Sequence, residues 1–369
     1  MYAPIPMVPG PVTLPKCVLD ALSCDYPSGQ IDPDFLALYA SCERALQKLM
    51  GTKNRVLIMT GEGMLVLWGA LKSVVNAKDR VFVVANGVFS QGMYEMAKTI
   101  GCQTELFQLD FDSVVDEASL SQIAGKVASF RPTVLCACHC ETPSGTLNPL
   151  EGLAKIKRDL GIPLFYVDMV SSLGGTPIDV DALGIDLALG GSQKCLSLPP
   201  SLSFSSVSPS AFARMEEVNY QGYDAFLPFK TIYQDGRCPY TPDWHGFAAL
   251  YASLNALFHE GLTTVYARHN ACQRFVLSAL AELHIRLWPK KSTDASPTVT
   301  AALIPEGFSW PSWQEALRKR GLIVAGSFGP MAGKVFRLGH MGEQARMHLV
   351  QAALDVIEIV LHKRQSFCV

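Results

Sequence analysis

Short apolar runs, each closed by a glycine or polar turn and spaced by helix-like stretches, restrict this chain to an α/β architecture. The runs occupy 55–60, 80–85, 133–138, 163–168 and 187–190. Arg55-Val-Leu-Ile-Met-Thr60 does not alternate apolar with polar, so it suits a strand buried on both faces. Helix-like segments at 64–75 and 91–100 separate the first runs. That order predicts a largely parallel sheet covered by helices on both sides. Ligands of such sheets bind beyond the carboxyl ends of the strands. Gly61-Glu62-Gly63, Phe89, Glu141-Thr142, Asp168 and Lys194 all follow predicted strand ends, so they are expected to converge.

After about residue 260 the pattern changes. A long helix is expected over 262–287, a strand over 298–304, a helix over 313–320, a strand over 335–339 and a closing amphipathic helix over 344–363. The expected division is an N-terminal arm (1–15), a large cofactor-binding domain (16–261) and a small α+β C-terminal domain (262–369). At 369 residues and 49% hydrophobic, the chain can bury cores of that size. The irregular stretch 222–242 reads as a functional loop or a contact with a partner subunit.

A net charge of −2 without a basic block argues against nucleic acid as a partner. The proline-rich segment 1–15 lacks the charged head and apolar core of a signal peptide. Runs such as 81–85 and 356–361 are too short to span a bilayer. A soluble, cytoplasmic enzyme is the expectation. The eleven cysteines are scattered and odd in number, which suits reduced thiols. Cys136, Cys138 and Cys140 alternate on one predicted strand, leaving His139 on the other face. No metal site is expected there, because zinc motifs use wider turns.

Asp168 ends an apolar run, and Lys194 follows within one βα-like unit in Gly190-Gly191-Ser192-Gln193-Lys194. That pair suits a pyridoxal site. A lysine amine captures the cofactor aldehyde as a Schiff base, and a carboxylate keeps the pyridine nitrogen protonated so that the ring accepts electrons.

Ordered motifs along nearly the whole chain carry a resemblance. They are Val8-Pro-Gly-Pro11, Asn86-Gly87-Val88-Phe89, His139-Cys-Glu-Thr-Pro-Ser-Gly-Thr-Leu-Asn-Pro149, Val167-Asp168, Ser192-Gln193-Lys194, Tyr240-Thr241-Pro242 and Gly333-Lys-Val-Phe-Arg-Leu-Gly339. The chain resembles the fold-type I, class V aminotransferases of the alanine–glyoxylate, serine–pyruvate and pyridoxamine–pyruvate group. The resemblance implies a mostly parallel seven-stranded-type sheet and pyridoxal 5′-phosphate as cofactor. It also implies a homodimer with shared active sites. Lys194 would form the Schiff base and then move a proton. Asp168 would pair with the pyridine nitrogen, Phe89 and Val170 would flank the ring, and Thr142 would lie near the ring 3-oxygen. Gly63 and Gln193 would help form the phosphate cup, and Thr241 would reach the phosphate of the neighbouring subunit. Arg337, assisted by the Gly10 backbone, would hold the substrate carboxylate.

The chain departs from the pattern at Glu62, where relatives carry a small hydroxyl residue, and at Cys238, where many carry a phosphate-binding tyrosine. A carboxylate at position 62 repels a phosphate dianion. Both departures suit unphosphorylated pyridoxal or pyridoxamine bound as a substrate, as in the pyridoxamine–pyruvate subgroup. The retained Ser192-Gln193 pair favours a conventional enzyme that acts on an amino acid or amino-phosphonate. Phe328 stands where the pyridoxamine–pyruvate subgroup has a second carboxylate-binding arginine. A cysteine desulfurase or C–S lyase is disfavoured because Gln193, not histidine, precedes the lysine.

Overall fold

The computed structural model describes residues 4–26 and 29–365, and among them seven strands form one large sheet. In chain order these are β1 (Arg55–Thr60), β2 (Arg80–Ala85), β3 (Gln103–Gln108), β4 (Val134–Cys138), β5 (Leu164–Asp168), β6 (Leu187–Gly191) and β7 (Leu202–Val207). Their spatial order is β1-β7-β6-β5-β4-β2-β3. Strand β7 is antiparallel to both neighbours, and the remaining pairs are parallel.

The sequence reading lacked β3 and β7. Strand β3 is a polar edge strand in which Phe107 is the buried residue. Strand β7 reads Leu-Ser-Phe-Ser-Ser-Val, and its serines disguise a wholly buried strand.

The helices that matter for the site are α1 (Pro33–Met50), α2 (Gly63–Val74), α3 (Val88–Ile100), α4 (Trp244–Glu260), α5 (Leu262–Glu282), α6 (Trp310–Arg318) and α7 (Met347–Gln365). Capping explains several boundaries. The Asp32 carboxylate accepts from the amides of Asp34 and Phe35 at the start of α1, and Gly51 at φ 63° ends it. Helix α3 starts at Val88, three residues before the expected 91, because Asn86-Gly87 forms its entry turn. Helix α5 stops at Glu282 rather than 287, where the chain turns through His284 at φ 55°. Ser309 caps α6, so that helix begins three residues before the expected 313.

A second core gathers Val276, Leu280, Trp313, Phe336 and Ile357 around a small antiparallel sheet. Its strands are β8 (Thr300–Leu303), β9 (Ala325–Gly326) and β10 (Val335–Leu338), with β10 in the middle. Arg337 is therefore paired on both sides, opposite Ala301 and Ala325. The N-terminal segment joins this unit. Ile5–Pro6 pairs in parallel with Leu322–Ile323, and Met7 belongs to the same core. Among the described residues no helix is long and apolar enough to cross a membrane.

Candidate active site

A cavity of about 280 Å³ opens beyond the carboxyl ends of β5 and β6. Of the eleven residues expected at the site, ten line this cavity, and Thr241 does not. A larger cleft of about 1060 Å³ lies elsewhere, beside His139 and Lys290. Its lysines, Lys290 and Lys291, are exposed rather than buried, and Lys290 is already paired with Asp110 and Asp112.

Asp168 is the last residue of β5. The Val170 amide donates to its Oδ1 at 2.8 Å, and the Cys138 thiol approaches its Oδ2 at 3.7 Å from the adjacent strand. Burial pushes the Asp168 carboxyl up to about 6, against the amide bond and the nearby Lys194 charge. Lys194 follows β6 and donates from Nζ to the Pro9 carbonyl. Burial brings its amine down to about 8, and the Arg337 charge adds to the fall. An amine that gives up its proton more readily than usual and an acid thus face one cavity.

Gly10 sits at φ +93°, and a Cβ there would lie 2.6 Å from Lys194 Cδ. Glycine is required at that crossing for both reasons. Phe89 belongs to the first turn of α3. The buried Glu141 carboxylate takes the amides of Phe89 at 3.2 Å and Ser90 at 2.6 Å, as well as the Ser90 hydroxyl. Burial raises Glu141 to about 7, despite those three donors. On another wall, the Thr142 and Ser171 hydroxyls are directly bonded. Ser171 was not foreseen, although it lies three residues beyond Asp168 in the same turn.

The residues expected to hold a phosphate make other bonds. The Ser192 hydroxyl donates to the Pro199 carbonyl at 2.6 Å, away from the cavity. Gln193 Nε2 donates to Glu62 Oε2 at 3.2 Å, and its Oε1 is buried without a partner. The Ser192-Gln193 motif keeps its residue types, but the serine donor turns away from the cavity and the glutamine donor is taken by Glu62. Thr241 is exposed and lines a separate narrow cleft with the buried Cys238.

Arg337 is 4% exposed. Its Nε donates to the Gly326 carbonyl at 2.7 Å and its Nη1 to the Thr142 carbonyl at 3.4 Å. Cys136, Cys138 and Cys140 are buried thiols, and Cys140 donates to Ser296 at 3.2 Å. Among the described residues no group of three or more His, Cys, Asp or Glu side chains is placed to hold a metal ion.

These residues fit a pyridine aldehyde. The cavity provides an acid for a ring nitrogen, an amine for an aldehyde, and an aromatic and a branched aliphatic side chain on its walls.

The chain matches known proteins over nearly its full length. An uncharacterized aminotransferase of Methanocaldococcus jannaschii is 29% identical over 359 residues, covering 96% of this chain and 92% of that protein. A pyridoxamine–pyruvate transaminase of Mesorhizobium japonicum is 29% identical over 331 residues, covering 88% and 84%. The solved alanine–glyoxylate aminotransferase from a Nostoc species superposes with a TM-score of 0.92 at 27% identity, covering 98% of this chain and 96% of that one. The family model for class-V aminotransferases matches residues 11–347. With a fold and a full-length match of this kind, the chain belongs to the class-V aminotransferases.

Proposed function

We propose that this aminotransferase moves the amino group of pyridoxamine to pyruvate or a similarly small 2-oxo acid, with the unphosphorylated vitamin as a substrate. The carrying observation is the Glu62 carboxylate, held by Gln193 at the entrance to α2 where a cofactor phosphate would sit. Two charges 4 Å apart repel by about 4 kcal/mol at an effective dielectric of 20, and a phosphate dianion would meet that penalty. A neutral hydroxymethyl group instead donates a hydrogen bond. Glu62 and the unpartnered Gln193 Oε1 are both acceptors.

When bound as pyridoxamine, the ring would supply the amino group to be transferred and an electron sink, and it would leave as the aldehyde. Asp168 holds the proton on the pyridine nitrogen. Phe89 and Val170 would flank the ring, and Thr142 would orient its 3-oxygen. Lys194, with a depressed amine pKa, would move a proton between the ring C4′ and the substrate Cα, and would bond to the ring's aldehyde form once the amino group has left. Arg337 holds the acceptor carboxylate, with Gly10 close to the same space. Exposed Thr241 lies outside its own cavity, which suits a homodimer in which it reaches the partner's site. An active monomer in sedimentation and dilution assays would contradict that arrangement.

Titration of pyridoxal and pyridoxal phosphate into wild type and Glu62→Ser tests the donor assignment. Wild type is expected to prefer pyridoxal, and the variant to move toward the phosphorylated form. Tight pyridoxal phosphate binding by wild type, unimproved by the substitution, would sink the proposal.

A conventional phosphate-dependent enzyme using an amino acid or amino-phosphonate is the second reading. It is favoured by the start of α2, where Glu62 makes no side-chain cap and leaves amides able to bind an anion. A desulfurase has little support. Cys195 is buried, and burial pushes its thiol up to about 12, far from a reactive thiolate.

A further inference from the structure

Arg337 is a buried cation with an unfinished set of partners. Its Nε and Nη1 are bonded to carbonyls, whereas among the described residues Nη2 has no acceptor and no carboxylate pairs with the guanidinium. The Phe328 ring lies over this group, with its centroid 4.9 Å from Arg337 Cζ. Stacking leaves the guanidinium edge available and covers its face.

Phe328 is 52% exposed, yet its backbone is tied at both ends. The Ser327 hydroxyl donates to the Pro143 carbonyl at 2.7 Å. Gly329 turns at φ +58° against Val88, whose Cγ2 lies 3.0 Å from where a Cβ would be. The half-exposed ring thus lines the cavity beside Arg337. Met64, Phe89 and Ala325 line the same cavity, which also carries the polar Glu62, Thr142, Ser171 and Gln193, and among the described residues its lining cations are Lys194 and Arg337. Lys194 is committed to the chemistry and Arg337 to one carboxylate.

We propose that Phe328 is the specificity-determining residue of this pocket, selecting 2-oxo monocarboxylates with an alkyl side chain and turning away 2-oxo dicarboxylates. This rests on the aminotransfer reading above and names its acceptor class. The acceptor carboxylate takes the free edge of Arg337, and its alkyl group lies along the Phe328 ring. A second carboxylate lying against the phenyl ring would lose part of its water without gaining a cation. Each methylene buried in an apolar site changes selectivity by about tenfold or more, so an alkyl chain is favoured where a charge is not.

The test compares kcat/KM for pyruvate, 2-oxobutyrate, 2-oxo-4-methylpentanoate and 2-oxoglutarate, with pyridoxamine or serine as donor, in wild type, Phe328→Leu and Phe328→Arg. Equilibrium dialysis of the unreactive acids 4-methylpentanoate and glutarate supplies a readout independent of turnover. In wild type the best alkyl acceptor should exceed 2-oxoglutarate by about a hundredfold. Phe328→Leu should keep the order. Phe328→Arg should narrow the gap by at least about tenfold, because it adds the missing cation. Wild-type use of 2-oxoglutarate as efficiently as the alkyl acids, or an unchanged ratio in Phe328→Arg, overturns the proposal. If no acceptor turns over while 4-methylpentanoate still binds about tenfold tighter than glutarate, the aminotransfer reading falls and the pocket assignment stands. Equal binding of the two acids by wild type overturns the pocket assignment whatever the turnover.

Discussion

At the residue scale the site depends on what burial does to charge. The Lys194 amine is brought to about 8 first by loss of water and then by the Arg337 cation, so a sizeable neutral fraction exists near neutrality. The neutral amine is the nucleophile, so the rate of reaction with added pyridoxal should rise with pH and level off above about 8. Stopped-flow absorbance across pH 6 to 10, roughly two units either side of that value, measures this directly. Arg337→Met removes the second cause, so the profile should move to higher pH. An unmoved profile would show that the two cations are not coupled. Lys194→Ala should abolish transamination with either donor, because the described cavity offers no other primary amine. Sustained multiple turnover by that variant would place the chemistry elsewhere.

At the scale of elements, the position of Phe89 depends on how α3 begins. Glu141, from the chain just after β4, reaches across and takes the amides of Phe89 and Ser90 in the first turn of the helix. A Cβ on Gly87 would run into that carboxyl, so Gly87→Ala should displace the cap and destabilise the fold by about 1–3 kcal/mol. Thermal unfolding reads the loss, and weaker ring binding should accompany it.

The buried acid also makes stability depend on pH. Its folded value, about 7, lies above its ordinary 4.5, so the folded state retains the proton more tightly. That contribution is fully present below about 4.5 and is lost as pH rises through about 7. It amounts to about 3 kcal/mol. Glu141→Gln should flatten the slope across that window in urea titrations, and an unchanged slope would assign it to another group.

The lysine, the aspartate and five sheet strands were legible because apolar runs and their closing turns are local signals. The Glu141 cap was not, because 87–90 and 141 meet only once β2 and β4 lie side by side. The Ser192 hydroxyl was misjudged for a related reason. Its residue type suits phosphate, but its direction is set by a bond to Pro199 that no sequence pattern announces.

At the scale of the whole molecule, the N-terminal segment links the small sheet to the lysine. After pairing with Leu322–Ile323 it receives the Gly339 amide at the Met7 carbonyl, 2.7 Å away. Gln344 then clasps it from the other side. Its Nε2 donates to the carbonyls of Val8 at 2.8 Å and Gly339 at 2.6 Å, and its Oε1 accepts from the Thr13 amide at 3.1 Å. Between those two anchors lie Pro9, whose carbonyl takes the Lys194 amine, and Gly10, which covers its stem. The burial that depresses the lysine is therefore supplied partly by a segment more than 180 residues away in sequence. Gln344 is fully buried, so Gln344→Ala leaves three backbone groups short of partners and should cost about 2–4 kcal/mol. A purely structural loss would stop there. If the segment shields the lysine, Gln344→Ala should also raise the Lys194 pKa, shifting the pyridoxal-reaction profile to higher pH while hydrogen exchange quickens across residues 5–13. Faster exchange with an unshifted profile would mean that the lysine owes its low pKa to the sheet and to Arg337 alone.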